Sequence, residues 1–342
     1  MNIGLFTSVF FNNIGNGFID LGAEVTINAA KPEGASLVKY SQCANFAASM
    51  GTKFLIKENP VVNKAWVTLM QHHARDVQDK SYSAAVSTLD IFSVAKLLPV
   101  DILIIPGCVL TVPFFTIYGK LLEDMTKRGT KLVFLGASGN FYNEYEIGNV
   151  KRWLEKLKPL AVMTRDSVAY EHYKGLAPYT YNGIDNVFFV NRLGIPKLES
   201  SIGEYAVINL EEPKHQAMKK KLEEKLTAAG RQIVYTDHKP FPYSKVISFV
   251  KKKNMIISDY PMDYLVLYRN ASEVFSDRVH ACIPTLSFGN KAMLISDTPR
   301  KALFENVGLR DFGKKPAKGV EGLSEMQDSQ IRFLKDLLAK EM

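Results

Sequence analysis

The sequence predicts an α/β protein of two tandem, Rossmann-like, doubly wound domains facing each other across a cleft. Three observations carry this expectation. Short β-rich runs alternate with helical stretches through both halves of the chain, the pattern of a parallel sheet wound by helices. The 342 residues suffice for two domains of ordinary size. The segment 191–203 mixes Gly, Pro and Ser between the halves and reads as a linker. The predicted domains are therefore 1–195 and 203–310, with 311–342 as a further connection and a terminal helix that packs back.

The second half parses most cleanly. Strands are expected at 205–210, 232–236, 254–258, 273–276 and 292–295. Helices are expected at about 215–229, 242–252, 261–270 and 279–288, with Gly230 and Gly289 ending two of them in left-handed caps. In the first half the strand candidates are 2–9, 53–57, 101–105, 131–135, 160–164 and 178–182. The helices are 17–30, 61–98 with breaks, 114–128, 145–157 and 166–174, while 31–52 fits neither pattern. Near the end, Ser324 and Gln327 have capping-box spacing. The apolar residues Ile331, Leu334, Leu337 and Leu338 then recur at helical spacing.

Composition narrows the function classes. Hydrophobic content of 46% and a mean hydropathy near zero fit a soluble globular chain. No apolar run reaches membrane-spanning length, and Met1-Asn-Ile-Gly-Leu-Phe6 lacks the basic start of a signal peptide. Cys43, Cys108 and Cys282 have no CxxC spacing, which argues for buried thiols in a reducing, cytoplasmic setting. The net charge of +8 suits anionic small molecules, acidic glycans or a peripheral contact with an anionic membrane face. The lysine runs 219–221 and 251–253 fall on predicted helices and read as solvated faces, so nucleic acid is not an expected partner. The adjacent His72 and His73 diverge on a helix, and no metal site is expected.

The segment Glu273-Val-Phe-Ser-Asp-Arg-Val-His-Ala281 carries the chemistry. A short β run ends, and Arg278 and His280 follow two apart. One is a permanent cation with a planar donor fork; the other titrates near neutrality. Pro284 is best tolerated in a first helical turn, which argues for a late helix start. Arg278 and His280 would then lie in extended backbone and share a face. With the common strand order 3-2-1-4-5, the strands 205–210 and 273–276 flank the topological switch point, where ligands of open α/β sheets bind. Their following loops carry Arg278 with His280, and Glu211 with Glu212. A structural Arg–Asp pair beside a packed histidine is the competing reading.

Further candidate contacts come from turns at strand ends. Asn13-Ile-Gly-Asn-Gly17 precedes a helix and could meet a phosphate or carboxylate through Asn13, Gly15 and Asn16, or be an ordinary turn. Gly107 and Gly136 sit in two more glycine turns. Arg165 follows the run 160–163 and would face the cleft from the first domain; Asp166 or Ser167 could simply cap the next helix. Lys291, at the N-terminal end of its strand, reads as structural. No Ser-His-Asp order, HExxH or Walker loop is present.

Together these motifs resemble the polysaccharide pyruvyl transferase family. The carriers are Asn13-Ile-Gly-Asn16, Ile104-Ile-Pro-Gly107, Met163-Thr-Arg-Asp-Ser167, Gly183-Ile-Asp185 and Ser276-Asp-Arg-Val-His-Ala281 with Gly289 downstream. Cys108 stands where members commonly have a second glycine, and Pro284 interrupts their small-residue helix. The resemblance implies a fold similar to two-domain GT-B glycosyltransferases. It also implies transfer of pyruvate from phosphoenolpyruvate to a sugar of a cell-surface glycan precursor as a ketal, with no cofactor or metal. His280 would protonate the methylene carbon, Arg278 and Arg165 would hold the carboxylate and phosphate, and Asp185 would join the site. The alternative is a GT-B glycosyltransferase using a nucleotide sugar, with Glu211 near the ribose.

Overall fold

The computed structural model of the chain describes residues 1–7, 13–42, 93–238 and 254–341. Its contacts divide into two compact units. One comprises Met1–Ser8, Gly34–Met163 and Ala169–Tyr181; the other comprises Val9–Glu33, Thr164–Val168 and Asn182–Met342. The described helices are α1 Ile14–Ala30, α2 Val94–Leu97, α3 Val112–Lys127, α4 Glu144–Leu157, α5 Ser167–Tyr173, α6 Gln216–Ala228, α7 Pro261–Asn270, α8 Val279–Ser287, α9 Ala302–Glu305 and α10 Leu323–Ala339. A 3-10 helix spans Asn186–Leu193.

The first sheet contains β1 Asn2–Thr7, β2 Ser36–Ser41, β3 Ile102–Pro106, β4 Lys131–Ala137, β5 Ala161–Thr164 and β6 Tyr179–Asn182, in the order β2-β1-β3-β4-β5-β6. Parallel pairing joins β1 to β2 and β3, and β3 to β4. All five residues of β3 are buried. A parallel strand covered on both faces needs such an unbroken apolar run. Its core gathers Phe6, Leu103, Phe115, Phe134 and Leu154.

The second sheet contains β7 Tyr205–Asn209, β8 Gln232–Thr236, β9 Met255–Ile256, β10 Glu273–Ser276, β11 Lys291–Leu294 and β12 Ala317–Lys318. Its order is β12-β11-β10-β7-β8-β9. The first five strands thus follow the expected 3-2-1-4-5 order and pair in parallel, while β12 adds an antiparallel edge. β7 and β10 are neighbours, and their loops emerge at the switch point.

Helix α1 belongs to the second unit by its packing. It lies against the 3-10 helix so closely that a Cβ on Gly22 would stand 1.8 Å from the Asn186 carbonyl oxygen. Glycine is what permits that backbone approach. Helix α10 also packs on α1 and on the 3-10 helix. The expected domain 1–195 follows the chain, whereas packing assigns its stretches 9–33, 164–168 and 182–195 to the second unit.

Several local expectations change. β2 lies in the stretch the sequence left unassigned. Helix α1 starts at Ile14 rather than 17, because the Asn13 side chain accepts from the Gly15 N–H and caps it. The Ser324–Gln327 capping box does not form: the cap lies two residues earlier, at Gly322 in the left-handed region, with no side-chain cap. Gln327 instead donates to the Phe188 carbonyl and the Asn191 side chain, and accepts from Arg192 Nε. Residues 191–193 finish the 3-10 helix, and the linker proper begins at Gly194. Gly230 and Gly289 do take positive φ, 67° and 80°, after their helices. The expected strand 53–57, helix 242–252, most of helix 61–98, Cys43, His72, His73 and the lysine run 251–253 lie outside the described residues.

Candidate functional site: an anion pocket at the switch point

The ends of β7 and β10 are stitched together. Ser276 Oγ donates to Asn209 Oδ1 at 2.7 Å, and Asn209 Nδ2 donates to the Thr236 carbonyl at 3.0 Å. Asp277 Oδ2 accepts from the backbone N–H groups of Glu211 and Glu212, each at 2.9 Å, and lies 3.1 Å from His215 Nδ1. One buried carboxylate thereby shapes the loop after β7.

Arg278 has extended backbone, with φ −110° and ψ 123°, and immediately precedes α8. Its Nε donates to Glu211 Oε2 at 2.8 Å, and Nη2 reaches the same oxygen. Glu211 Oε1 accepts from the His238 N–H at 2.8 Å. Burial resists charge on Glu211, but the Arg278 guanidinium outweighs it and holds the carboxyl below its usual range. Glu211 is therefore engaged as the partner of Arg278.

The late helix start expected from Pro284 is corrected. α8 begins at Val279, so His280 is helical, and Pro284 sits inside the helix. The proline removes the N–H that would have met the His280 carbonyl. All nine residues of α8 are buried, and that packing keeps the segment helical. Arg278 and His280 still border one pocket, but as a residue before the helix and one in its first turn, not as alternate strand residues.

That pocket has a volume of about 130 Å³ and is bordered by Asn13, Glu212, His238, Arg278, His280 and Arg300, among others. Helices α1 and α8 both begin at it, and neither has an acidic residue in its first turn. The opening N–H groups of a helix lack intrahelical acceptors and carry partial positive charge, so both starts favour an anion. Arg278 and Arg300 add two cations.

His280 is 7% exposed, and its Nε2 lies 3.7 Å from Asp185 Oδ2. Asp185 caps the 3-10 helix through Oδ1, which accepts from the Val187 N–H at 2.8 Å. Its Oδ2 accepts from Arg165 Nη1 at 2.6 Å. Burial opposes the Asp185 charge, yet Arg165 above all holds the carboxyl well below the usual range. Burial pushes the His280 imidazole below its ordinary value, with Asp185 partly opposing. A Cβ on Gly15 would stand 2.9 Å from His280 Cβ and 3.0 Å from its Nδ1. Gly15 thus serves close approach of α1 to the histidine.

Arg165 is 1% exposed and buried with Asp185 in the second unit, so it serves as that carboxylate's counter-ion instead of presenting donors to a ligand from the first domain. Asn16 lies in the first turn of α1, its N–H bonded to the Asn13 carbonyl. Gly107 and Gly136 have φ of 90° and 58° and shape the ends of β3 and β4 in the first unit. Lys291 is exposed at the start of β11.

His238 and Arg300 were not singled out from the sequence. His238 stands two residues beyond β8, and Arg300 lies in the short 3-10 turn Pro299–Lys301 that follows β11. The strand-end rule applied to β8 would have found the first. His238 is 2% exposed and packs edge-on against Phe18 and Tyr264. Burial pushes its imidazole down to about 3, with Glu211 opposing. Burial also drives the Tyr268 hydroxyl well up, and that hydroxyl is hydrogen-bonded to His238 Nε2. The other ring nitrogen, Nδ1, is buried without a hydrogen-bond partner in the protein. Among the described residues no cluster of metal-ligating side chains occurs, and no helix is long and apolar enough to cross a membrane.

No protein-family model and no curated protein matches the chain. Solved structures do share its fold. The S. aureus MnaA structure with UDP is 10% identical, with a TM-score of 0.54, over 99% of this chain and 90% of that one. A UDP-N-acetylglucosamine 2-epimerase is 11% identical with a TM-score of 0.52, covering 98% and 90%. A Listeria monocytogenes protein provisionally assigned to the same activity is 11% identical with a TM-score of 0.52, covering 99% and 90%. These likenesses establish the fold as two-domain, Rossmann-like and of the GT-B type.

Proposed function

We propose that this chain is a GT-B-type enzyme acting on a sugar nucleotide, and that the pocket after β7 and β10 receives the nucleotide's diphosphate. The observation that carries this reading is the convergence of two helix starts free of acidic first-turn residues with Arg278 and Arg300 on one pocket. A diphosphate accepts several charge-assisted hydrogen bonds and complements both helix dipoles. Glu212, half-buried in the pocket lining and ion-paired with the exposed Lys214, is the carboxylate this reading assigns to a ribose diol, since Glu211 is held by Arg278. The fold relative solved with UDP supports the same ligand class. Transfer of pyruvate from phosphoenolpyruvate retains Arg278 and His280 but loses its expected second clamp, because Arg165 is sealed against Asp185.

Calorimetric titration with UDP, GDP and phosphoenolpyruvate tests the reading. Saturable binding of a nucleoside diphosphate, weakened at least about tenfold by Arg278→Gln, is the expected result; tenfold corresponds to about 1.4 kcal/mol. Binding of phosphoenolpyruvate with no nucleotide binding overturns it in favour of pyruvyl transfer. Absence of all binding overturns both.

A further inference from the structure

The pocket contains a second arrangement that anion binding does not use. Arg165, Asp185 and His280 form a line from a fully buried cation, through a fully buried carboxylate, to an imidazole at the pocket wall. The distances are 2.6 Å from Arg165 Nη1 to Asp185 Oδ2 and 3.7 Å from that oxygen to His280 Nε2. Both Arg165 and Asp185 are 1% exposed, so neither reaches a ligand. Their ion pair instead fixes one carboxylate oxygen beside one edge of the imidazole. The opposite ring nitrogen, Nδ1, lies against Gly15, next to the pocket-lining Asn13.

We propose that Asp185 and Arg165 are positioning residues for proton transfer: they hold His280 with its proton on Nε2 and leave Nδ1 as the acceptor toward the bound substrate. The proposal rests on the sugar-nucleotide reading for the identity of that substrate, but not for the arrangement itself. In the step, a substrate hydroxyl gives its proton to Nδ1. The O–H bonding pair stays on the substrate oxygen as it becomes nucleophilic, and the imidazole becomes an imidazolium. Asp185 stabilises that cation through Nε2–H, and Nδ1 later returns the proton to solvent. Closure from 3.7 Å to hydrogen-bond distance as the cation forms is the motion required.

The charges around His280 are consistent with a neutral resting base. Asp185 raises its basicity, while Arg165 and Arg300 lower it. Arg278 stands two residues earlier, just before α8, Asp277 precedes Arg278, and His238, itself held neutral, borders the same pocket. A carboxylate that fixes a histidine tautomer is an established catalytic device, and replacing such a carboxylate by its amide inverts the tautomer.

Nitrogen-15 NMR of the full chain, with His280 assigned through His280→Gln, tests the proposal without any ligand. The expected result is a neutral Nε2–H tautomer at pH 7. The double variant Arg165→Met, Asp185→Asn removes both charges together and so avoids an orphaned ion. In it the Nε2–H population should fall, UDP affinity should stay within about threefold, and turnover should drop about 100-fold or more, the scale of general base catalysis. Asp185→Glu should restore part of the tautomer preference. A wild-type Nδ1–H tautomer, or a double variant with unchanged tautomer and rate, overturns the proposal. If UDP does not bind the wild-type chain, the sugar-nucleotide reading fails, while the tautomer measurement still decides whether Asp185 positions His280.

Discussion

Arg165 Nη1 lies 2.6 Å from Asp185 Oδ2, and both side chains are sealed from solvent. Chain position alone puts Arg165 at a strand end, where a ligand contact is expected. Its partner shows that it neutralises a carboxylate that organises the 3-10 helix and borders His280.

Breaking this pair one residue at a time should be costly. Arg165→Met leaves the Asp185 carboxylate buried without its cation, and a loss of about 3–5 kcal/mol is expected. The double variant with Asp185→Asn should recover much of that loss. Denaturant unfolding followed by intrinsic fluorescence measures both, and equal losses in single and double variants would contradict the account.

Gly22 should tolerate no side chain. A Cβ there meets the Asn186 backbone carbonyl at 1.8 Å, which no rotamer change relieves. Gly22→Ala should therefore push α1 off the 3-10 helix and destabilise the second unit by about 1–3 kcal/mol or more. Gly148→Ala, where a Cβ meets nothing within 4 Å, serves as the control and should leave the midpoint nearly unchanged.

Acid should weaken the second unit before its carboxylates titrate. His238 is held down to about 3 by burial, and His280 is also lowered. In the unfolded chain both take up protons near pH 6.5, whereas the folded state refuses them until lower pH. The unfolded state thus binds more protons across this window, and stability falls as pH drops below about 6.5, by up to about 1.4 kcal/mol per pH unit for each histidine. The depressed carboxyls of Asp185 and Glu211 contribute stability that is lost only at still lower pH. Urea midpoints at pH 7.5, 6.5, 5.5 and 4.5 test the window; a flat profile through about pH 5 would refute the buried neutral histidines.

Arg278 and Arg300 should separate into different phenotypes. Arg300 is half-buried at the pocket wall, so Arg300→Ala should reduce nucleoside diphosphate affinity about tenfold while shifting stability little. Arg278→Ala also removes the counter-ion of the Glu211 carboxylate, whose side chain is only 2% exposed, so it should lower both affinity and melting temperature. Parallel calorimetry and thermal unfolding would distinguish them, and equal stability losses would count against the Glu211–Arg278 pairing.

Much of the fold was legible because its signals are local. Apolar runs marked β3 and β7, the short Val-Phe pair of a β-rich run marked β10, glycines with positive φ marked the ends of α6 and α8, and alternation of elements implied parallel sheets. β2 was missed because Ser36–Ser41 is mostly exposed and lacks an apolar run. The start of α8 was misplaced because Pro284 speaks against a helix interior locally, while burial of the whole segment decides the matter.

By itself the sequence determined the alternation of strands and helices in the second half, which under the common strand order puts Arg278 and His280 at a switch point, and the residue types that suit an anion and a proton; the order itself is a fact of the tertiary structure. Only the tertiary structure decided which charges are available. Glu211 takes up Arg278, and Asp185 takes up Arg165. His238 and Arg300 arrive from β8 and β11 to complete the pocket. The reason is physical. Propensity and periodicity act over a few residues, whereas an ion pair depends on which side chains meet away from water, and here the partners are separated by 67 and 20 positions.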